Sequence, residues 1–472
     1  MQAIDVVFKP VRQLSELVKT GQTSPTELTE IFLDRLDRIG PDYNAVVTVT
    51  RERALEQAHR AEQRGDAGQS QGMLYGIPYG GKDLLATTGI PTTWGAAPFR
   101  NRIFDYDATV VTKLEKAGAL LCAKLAMVEL AGGMGYRQPN ASFTGPGRSP
   151  WDRETWTGGS SSGSGAAVAA GLVPFAIGSE TWGSILSPAN NCGLAGLRPT
   201  YGRVSRHGAM ALSWTLDKLG PLCLTADDCG IVLEAIAGQD PNDPTTTDQV
   251  FRYDESDISK KTFRLAILKG TLNDVDEDVR ANMQAALDIL RNFASIDEVE
   301  FPDLPYEAVT RTILSAESAS AFEEFMDEGG PAGLTAPEDR HPYARSAISA
   351  QDYIKALRIR TKVAMIADDL MAPFDAIIAP SRATPATRID MDFRGVILGS
   401  AKDTMGAVGN SAGLPAISVP NGFSNGGLPT GIQFMGKAYD ENKVIAVARA
   451  YQLRTDWHLQ HPEAVIPYSI PP

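Results

Sequence analysis

The chain has 472 residues, 43% of them hydrophobic, enough for one large domain or two ordinary ones and for a core without disulfide staples. Its formal net charge of −13 argues against a nucleic-acid footprint, which requires clustered Lys and Arg. The four cysteines, Cys122, Cys192, Cys223 and Cys229, show no CxxC spacing, so they predict buried thiols in a reducing compartment rather than a zinc site or redox pair.

Met1 to Lys19 holds no continuous apolar run of the signal-peptide kind. Residues 12–38 predict an amphipathic helical pair. Leu14, Leu17 and Val18 make one stripe, Gly21 breaks it, and Ser24-Pro25 restarts a helix that buries Leu28, Ile31, Phe32 and Leu36. Asn44 to Thr50 reads as a strand. Leu74 to Asp83 is a turn-rich run with a polar end. A helix over Asp107 to Ala117 and a short strand over Ala119 to Ala123 then suggest βαβ units on a sheet. Gly, Ser and Pro dominate residues 143–165, a composition usual in flexible linkers. Here apolar helical and strand-like sequence follows at once, so a site loop shaped by close backbone approach is the better reading. The most apolar stretch, Ala166 to Ile177, spans 12 residues and contains Gly171 and Pro174; a membrane span needs about 20 apolar residues. No membrane partner and a cytoplasmic location are therefore expected. Residues 240–375 carry more charge and longer helical patterns, at Asp276 to Phe293 and Ala350 to Met371. Phe374 to Pro380, Pro415 to Pro420 and Gly431 to Met435 read as buried strands, and Glu441 to Leu453 as the last helix.

Three residue groups bear on chemistry. The five histidines show no HExxH-type spacing, so no metal is expected. Gly159-Ser160-Ser161-Ser162-Gly163 formally matches the GxSxG nucleophile elbow, with Ser161 as nucleophile. An elbow needs a strand just before it, and Thr155 to Gly158 make only a weak one. Lys82 follows the apolar turn Leu74-Tyr75-Gly76-Ile77-Pro78, which predicts a buried approach. Burial lowers a lysine from its usual pKa of about 10.4, and a fall to about 7–8 makes the amine a general base near neutrality.

Gly158-Gly159-Ser160-Ser161, the Ala-rich run, Gly183-Ser184-Ile185 and Cys192-Gly193-Leu194-Ala195-Gly196-Leu197-Arg198-Pro199-Thr200 resemble the signature of the amidase signature family. The upstream GIPYGGKD looks like that family's lysine block. Ser160 and Ser184 lie 24 residues apart, as in the family pattern. Further matching blocks, DATVVTKLEKAGA, FDAIIAPS and GLPAISVPNGF, spread the likeness over nearly the whole chain. The resemblance implies an α/β amidase signature fold, a large mixed central sheet flanked by helices. We expect a single amidase domain over 1–472. Residues 1–70 form its N-terminal helical segment, 71–240 and 372–472 its catalytic core, and 241–371 a variable helix-rich substrate lobe. The resemblance further implies a Ser–cis-Ser–Lys triad: Ser184 attacks, Ser160 after a cis peptide bond relays the proton, and Lys82 accepts it. The backbone N–H groups of Thr181, Trp182, Gly183 and Ser184 are implied as the oxyanion hole. No cofactor is implied. The ordered Lys82, Ser160 and Ser184 blocks favour Ser184 over Ser161.

The sequence departs from the family pattern at three positions. Trp182 stands in place of a Gly, Leu186 in place of an Arg, and Ser162 in place of a Gly. The Trp182 ring either packs into the core or walls the substrate pocket. With Gly133 and Met134 of the 132–146 loop, Leu186 predicts an apolar substrate pocket. The expectation is a stand-alone amidase, monomeric or homodimeric, acting on a small apolar amide or carbamate, with possible urethanase or esterase activity and no nucleic-acid partner. The alternatives are the glutaminase subunit of a tRNA-dependent amidotransferase and a non-catalytic binding protein on the same fold.

Overall fold

The computed structural model describes residues 4–66, 72–393 and 403–465. Its strands are β1 (Val46–Val49), β2 (Pro78–Lys82), β3 (Leu120–Leu125), β4 (Phe175–Glu180), β5 (Ala195–Arg198), β6 (Lys218–Cys223), β7 (Phe263–Leu268), β8 (Ala294–Val299), β9 (Ala376–Pro380), β10 (Ala416–Phe423) and β11 (Pro429–Met435). They form one 11-stranded sheet in the order β1-β3-β2-β4-β6-β5-β10-β11-β9-β7-β8. The sheet is mixed: β2 runs parallel to β3 and β4, and β7 to β8 and β9, while the remaining pairs are antiparallel. β2, β3, β4, β6 and β11 are buried along their whole length. Helices cover both faces of such strands, which is why they read as apolar or small-residue runs rather than alternating ones. β8 closes one edge and exposes Asp297 and Glu298, charges that discourage pairing with another chain.

The N-terminal helical pair forms as expected, over Val11–Lys19 and Pro25–Arg38. Ser24 Oγ accepts from Glu27 N, and Glu27 Oε2 accepts from Ser24 N, a reciprocal cap that fixes where the second helix starts. Leu28, Phe32 and Leu36 bury that helix. Its Arg35, also buried, donates to the carbonyls of Ala170 (2.9 Å) and Gly171 (2.8 Å). Those carbonyls follow the short helix Ser162–Ala169, so a cation satisfies the end of the element that begins beside Ser160 and Ser161.

The helix Ser162–Ala169 is buried on every side. Its glycines explain how. A Cβ on Gly163 would lie 2.4 Å from both Ala126 N and Ala45 O, and one on Gly165 would lie 3.0 Å from Pro188 Cβ. Only glycine lets this helix lie against the end of β3 and against the helix Leu186–Cys192. The Gly/Ser-rich stretch is thus a packing device and not a linker.

Residues 241–371, expected as a variable helix-rich lobe of the single domain, also supply β7 and β8 to the common sheet. The lobe's helical part is the long pair Tyr306–Ala321 and Ala350–Met371, packed on each other and on the helix Thr404–Ser411. All four cysteines are buried and unpaired. Among the described residues no helix is long and apolar enough to cross a membrane.

Gly163→Ala forces a methyl group onto two backbone atoms. It is expected to destabilise the fold by about 1–3 kcal/mol or more, as overpacked cores do. Gly72→Ala, where a Cβ meets nothing within 4 Å, is the control expected to stay near wild type. Thermal denaturation followed by circular dichroism reads both.

Candidate active site

Lys82 ends β2 and is 0% exposed. Its Nζ donates to Ser160 Oγ at 2.7 Å, Ser179 Oγ at 2.9 Å and Ser161 Oγ at 3.0 Å. Burial brings its pKa down to about 7, with the carboxylates of Asp217 and Glu180 opposing the fall. The neighbouring Asp83 does not pair with it. That carboxylate makes a buried ion pair with Lys124 at 3.0 Å and accepts from Thr93 N at 2.9 Å. Among the described residues the amine therefore hydrogen bonds to hydroxyls alone, the environment that keeps it able to accept a proton near neutral pH.

The Gly159–Ser160 peptide bond is cis. Ser160 Oγ accepts from Lys82 and donates to none of the described residues, so its proton is available. Ser161 Oγ differs. It accepts from Lys82 and from Ser179 N (3.2 Å), donates to Ser179 O (3.2 Å), and is 0% exposed. An elbow nucleophile must present a free, exposed hydroxyl; Ser161 is instead a saturated brace between the Ser160 loop and β4. Ser184 lies on the loop after β4, with its hydroxyl free of partners among the described residues. Ser161 N donates to Ser184 O at 3.4 Å and holds the two loops together.

Glu180, the last residue of β4, shapes the Ser184 loop. Its Oε2 accepts from Ile185 N (2.9 Å) and Leu186 N (3.0 Å), and its Oε1 pairs with Arg198 at 2.8 Å, both partners 0% exposed. Burial alone would raise this carboxyl, but the charges of Arg198 and Lys218 outweigh it and hold the pKa down at about 2. Between Glu180 and Ile185 the backbone N–H groups of Thr181, Trp182, Gly183 and Ser184 donate to none of the described residues. Gly183 takes φ +83°, a conformation glycine adopts without strain. Four consecutive unsatisfied donors beside a free hydroxyl are an arrangement able to receive a developing oxyanion. Thr181 Oγ1 donates to the buried Asp217, whose carboxyl burial pushes up.

A cavity of about 140 Å³ opens in front of Ser184. Tyr136, Trp156 and Phe393 form an aromatic wall, with Phe393 4.6 Å from Trp156 and 4.7 Å from Tyr136 between ring centroids. Opposite in chemistry are Arg311, Arg382 and Asp403. Arg382 follows β9 and makes no hydrogen bond or ion pair with any described residue; burial lowers its pKa and the charge of Asp403 opposes that. Asp403 is the N-cap of the helix Thr404–Ser411, accepting from Gly406 N at 3.0 Å. Its other oxygen accepts from Trp182 Nε1 at 2.7 Å. Arg311 lies 5.5 Å over the Trp182 ring. Trp182 combines both roles left open by its sequence: its ring rests against the apolar cluster of Leu186, Met405 and Val408 and also borders the cavity.

The apolar-pocket expectation fails for a physical reason. Leu186 (4% exposed) and Met134 (1%) are buried in the core. A Cβ on Gly133 would meet Phe322, Leu212 and Leu130 within 3.1 Å, so Gly133 too is an interior residue. None of the three lines the cavity. The residues that do line it with charge escape a sequence reading because they come from three distant segments. The only local signals are an Arg soon after a buried strand and an Asp before Thr-Met-Gly, an N-cap pattern.

The fold is shared with known proteins. The family model described as Amidase matches residues 27–445. The A subunit of glutamyl-tRNA(Gln) amidotransferase from Geobacillus kaustophilus (strain HTA426) is 37% identical, over 96% of this chain and 98% of its own length. The crystal structure of the corresponding A subunit from Thermotoga maritima superposes with a TM-score of 0.78 at 30% identity, covering 94% of each chain. The native peptide amidase from Stenotrophomonas maltophilia superposes with a TM-score of 0.84 at 30% identity, covering 95% of this chain and 97% of that one. The full-length sequence relatives at 34–37% identity are thus A subunits of glutamyl-tRNA(Gln) amidotransferases. This overturns the expectations of a stand-alone amidase for an apolar substrate, of a monomer or homodimer, and of a chain without a nucleic-acid partner.

A lysine whose folded pKa lies below its unfolded value costs stability at every pH under the unfolded value. The cost grows as pH falls from about 10.5 towards about 7 and is constant below that. Lys82→Met is therefore expected to raise Tm, by more at pH 7 than at pH 10. Differential scanning calorimetry at the two pH values checks the sign.

Proposed function

The chain belongs to the amidase family, and on that premise we propose that it is the glutaminase subunit of a multi-subunit amidotransferase, releasing ammonia from glutamine for use by partner subunits on Glu-tRNA(Gln). The observation that carries this reading is the full-length identity of 37% with the A subunit of a glutamyl-tRNA(Gln) amidotransferase. The charges around the cavity agree with it. Glutamine presents a carboxamide at one end and a carboxylate and an ammonium at the other. Arg382 and Arg311 suit the carboxylate, and Asp403 suits the ammonium.

In this mechanism Ser184 Oγ attacks the side-chain carbonyl carbon of glutamine. Its proton passes to Ser160, whose own proton goes to the neutral amine of Lys82. The carbonyl oxygen becomes an oxyanion received by the N–H groups of Thr181, Trp182, Gly183 and Ser184. Collapse breaks the C–N bond, and the proton returns along the same chain to the departing nitrogen, giving ammonia. Water then attacks the glutamyl-enzyme with Ser160 and Lys82 again taking the proton, and glutamate leaves. Ser160 and Ser184 are not hydrogen bonded to each other in the unliganded site; substrate binding closes that link, as is common for catalytic hydrogen bonds.

Three outcomes test the reading. Glutaminase activity is expected to rise at least tenfold when the chain is assembled with amidotransferase partner subunits; equal activity alone and assembled sinks the proposed place in a larger enzyme. Ser184→Ala is expected to lower turnover by about 10³-fold or more, with a fluorophosphonate adduct on Ser184 in the parent and none in the variant. Turnover is expected to rise with pH through an apparent pKa near 7, since protonated Lys82 cannot accept a proton. A profile flat between pH 6 and 9 removes Lys82 from the base role.

A further inference from the structure

Trp182 occupies two places at once. Its backbone sits in the middle of the loop whose N–H groups are unsatisfied among the described residues, and its side chain reaches the charged end of the cavity. The indole Nε1–H donates to Asp403 Oδ2 at 2.7 Å, while Asp403 Oδ1 is fixed by Gly406 N at 3.0 Å. The ring is further held by Arg311, 5.5 Å above it, and by the apolar cluster of Leu186 and Met405 beneath. An indole has only two side-chain torsions, so a bond at its tip restrains the loop at its root.

We infer that Trp182 is a positioning residue that couples recognition of the substrate's charged end at Asp403 to the geometry of the oxyanion loop, so that a cationic group on the substrate promotes turnover and not merely binding. The inference rests on the glutamine reading above. Its physical basis is that one carboxylate serves both contacts: Asp403 Oδ2 accepts the indole N–H at 2.7 Å, and on the glutamine reading the substrate's ammonium pairs with the same group. An ammonium seated there fixes the acid, the acid fixes the indole, and the indole restrains the loop that receives the oxyanion. Interaction energy from the remote end of the substrate is thereby expressed at the reacting carbonyl. A glycine at this position would leave the loop independent of Asp403.

The test uses the enzyme assembled with its partner subunits and two amides, L-glutamine and butyramide, which lacks both charged groups. Trp182→Phe keeps an aromatic ring and removes the N–H. It is expected to cut kcat on glutamine at least tenfold more than kcat on butyramide, with a change of less than threefold in KM for glutamine. Asp403→Asn is expected to remove that difference, so that adding Trp182→Phe to it penalises the two amides alike. Thermal denaturation confirms that each variant is folded. An equal factor on both amides in the Trp182→Phe single variant overturns the coupling, and so does a loss confined to KM. A parent enzyme that cleaves butyramide but leaves glutamine intact overturns the glutamine reading and the coupling together, so the two failures are told apart by the parent alone.

Discussion

Lys82 Nζ is buried among the hydroxyls of Ser160, Ser161 and Ser179 at 2.7–3.0 Å, and no carboxylate of the described residues hydrogen bonds to it. An isolated ammonium in that place is costly, and the surrounding fold is arranged so that the amine stays there. β2 lies between β3 and β4 in the sheet, and Gly80 and Gly81 carry no side chains that would push these strands apart. A Cβ on Gly80 would lie 2.4 Å from Leu125 Cδ1. Asp83, the one acid next to Lys82 in sequence, is turned away and neutralised by Lys124. Had Asp83 reached Lys82 instead, the opposite charge would have favoured the protonated amine. The proton acceptor thus depends on where a different ion pair is formed.

A second buried pair does complementary work on the other side of β4. Glu180 and Arg198 lie on strands that do not neighbour each other in the sheet, β4 and β5, separated by β6. Burying such a pair contributes little net stability, because desolvation offsets most of the attraction. What the carboxylate does here is geometric. By accepting from Ile185 and Leu186 it fixes the C-terminal end of a four-residue loop whose own N–H groups then meet no partner among the described residues. The base and the oxyanion receptor of the proposed mechanism are therefore set by two buried ion pairs, Asp83–Lys124 and Glu180–Arg198.

The parts of the site contained in short contiguous blocks are legible in the sequence. Lys82 after Gly80-Gly81, Ser160 in its Gly/Ser stretch and Ser184 before Ile185 each sit in a local pattern, and the helix Pro25–Arg38 is readable from its cap and its stripe. The central strands are readable as apolar runs. The pocket is not. Leu186 and Met134 lie close along the chain to Ser184 and to the expected substrate loop, but nearness in sequence is not nearness to the substrate. A residue opening a helix against the core can point inward whatever its neighbours do, and Leu186 is such a residue. Arg311, Arg382 and Asp403 meet only because a helix of the lobe, the end of β9 and an N-cap converge, and no periodicity in the sequence encodes that convergence. The edge strand β8 leaves no clear sign of belonging to the common sheet, because it carries charge and is half exposed, whereas β7 is an apolar run whose partners on the sheet lie far away in sequence.

The charged wall also gives the aromatic one its meaning. Tyr136, Trp156 and Phe393 on their own suggest an apolar ligand, and the same three rings are compatible with a short methylene chain lying between two polar ends. On the glutamine reading, Arg382 distinguishes these. An arginine with no hydrogen-bond partner among the described residues, facing a cavity that also holds Asp403, is an incomplete ion pair that an apolar ligand would leave desolvated and unsatisfied. A ligand bearing a carboxylate completes it, and one bearing an ammonium as well completes Asp403. On the glutamine reading proposed above, the cost of leaving these charges without a counter-charge is what would turn away an uncharged amide. Trp182 stands where these two demands meet, its ring continuous with the apolar surface and its N–H on the acid.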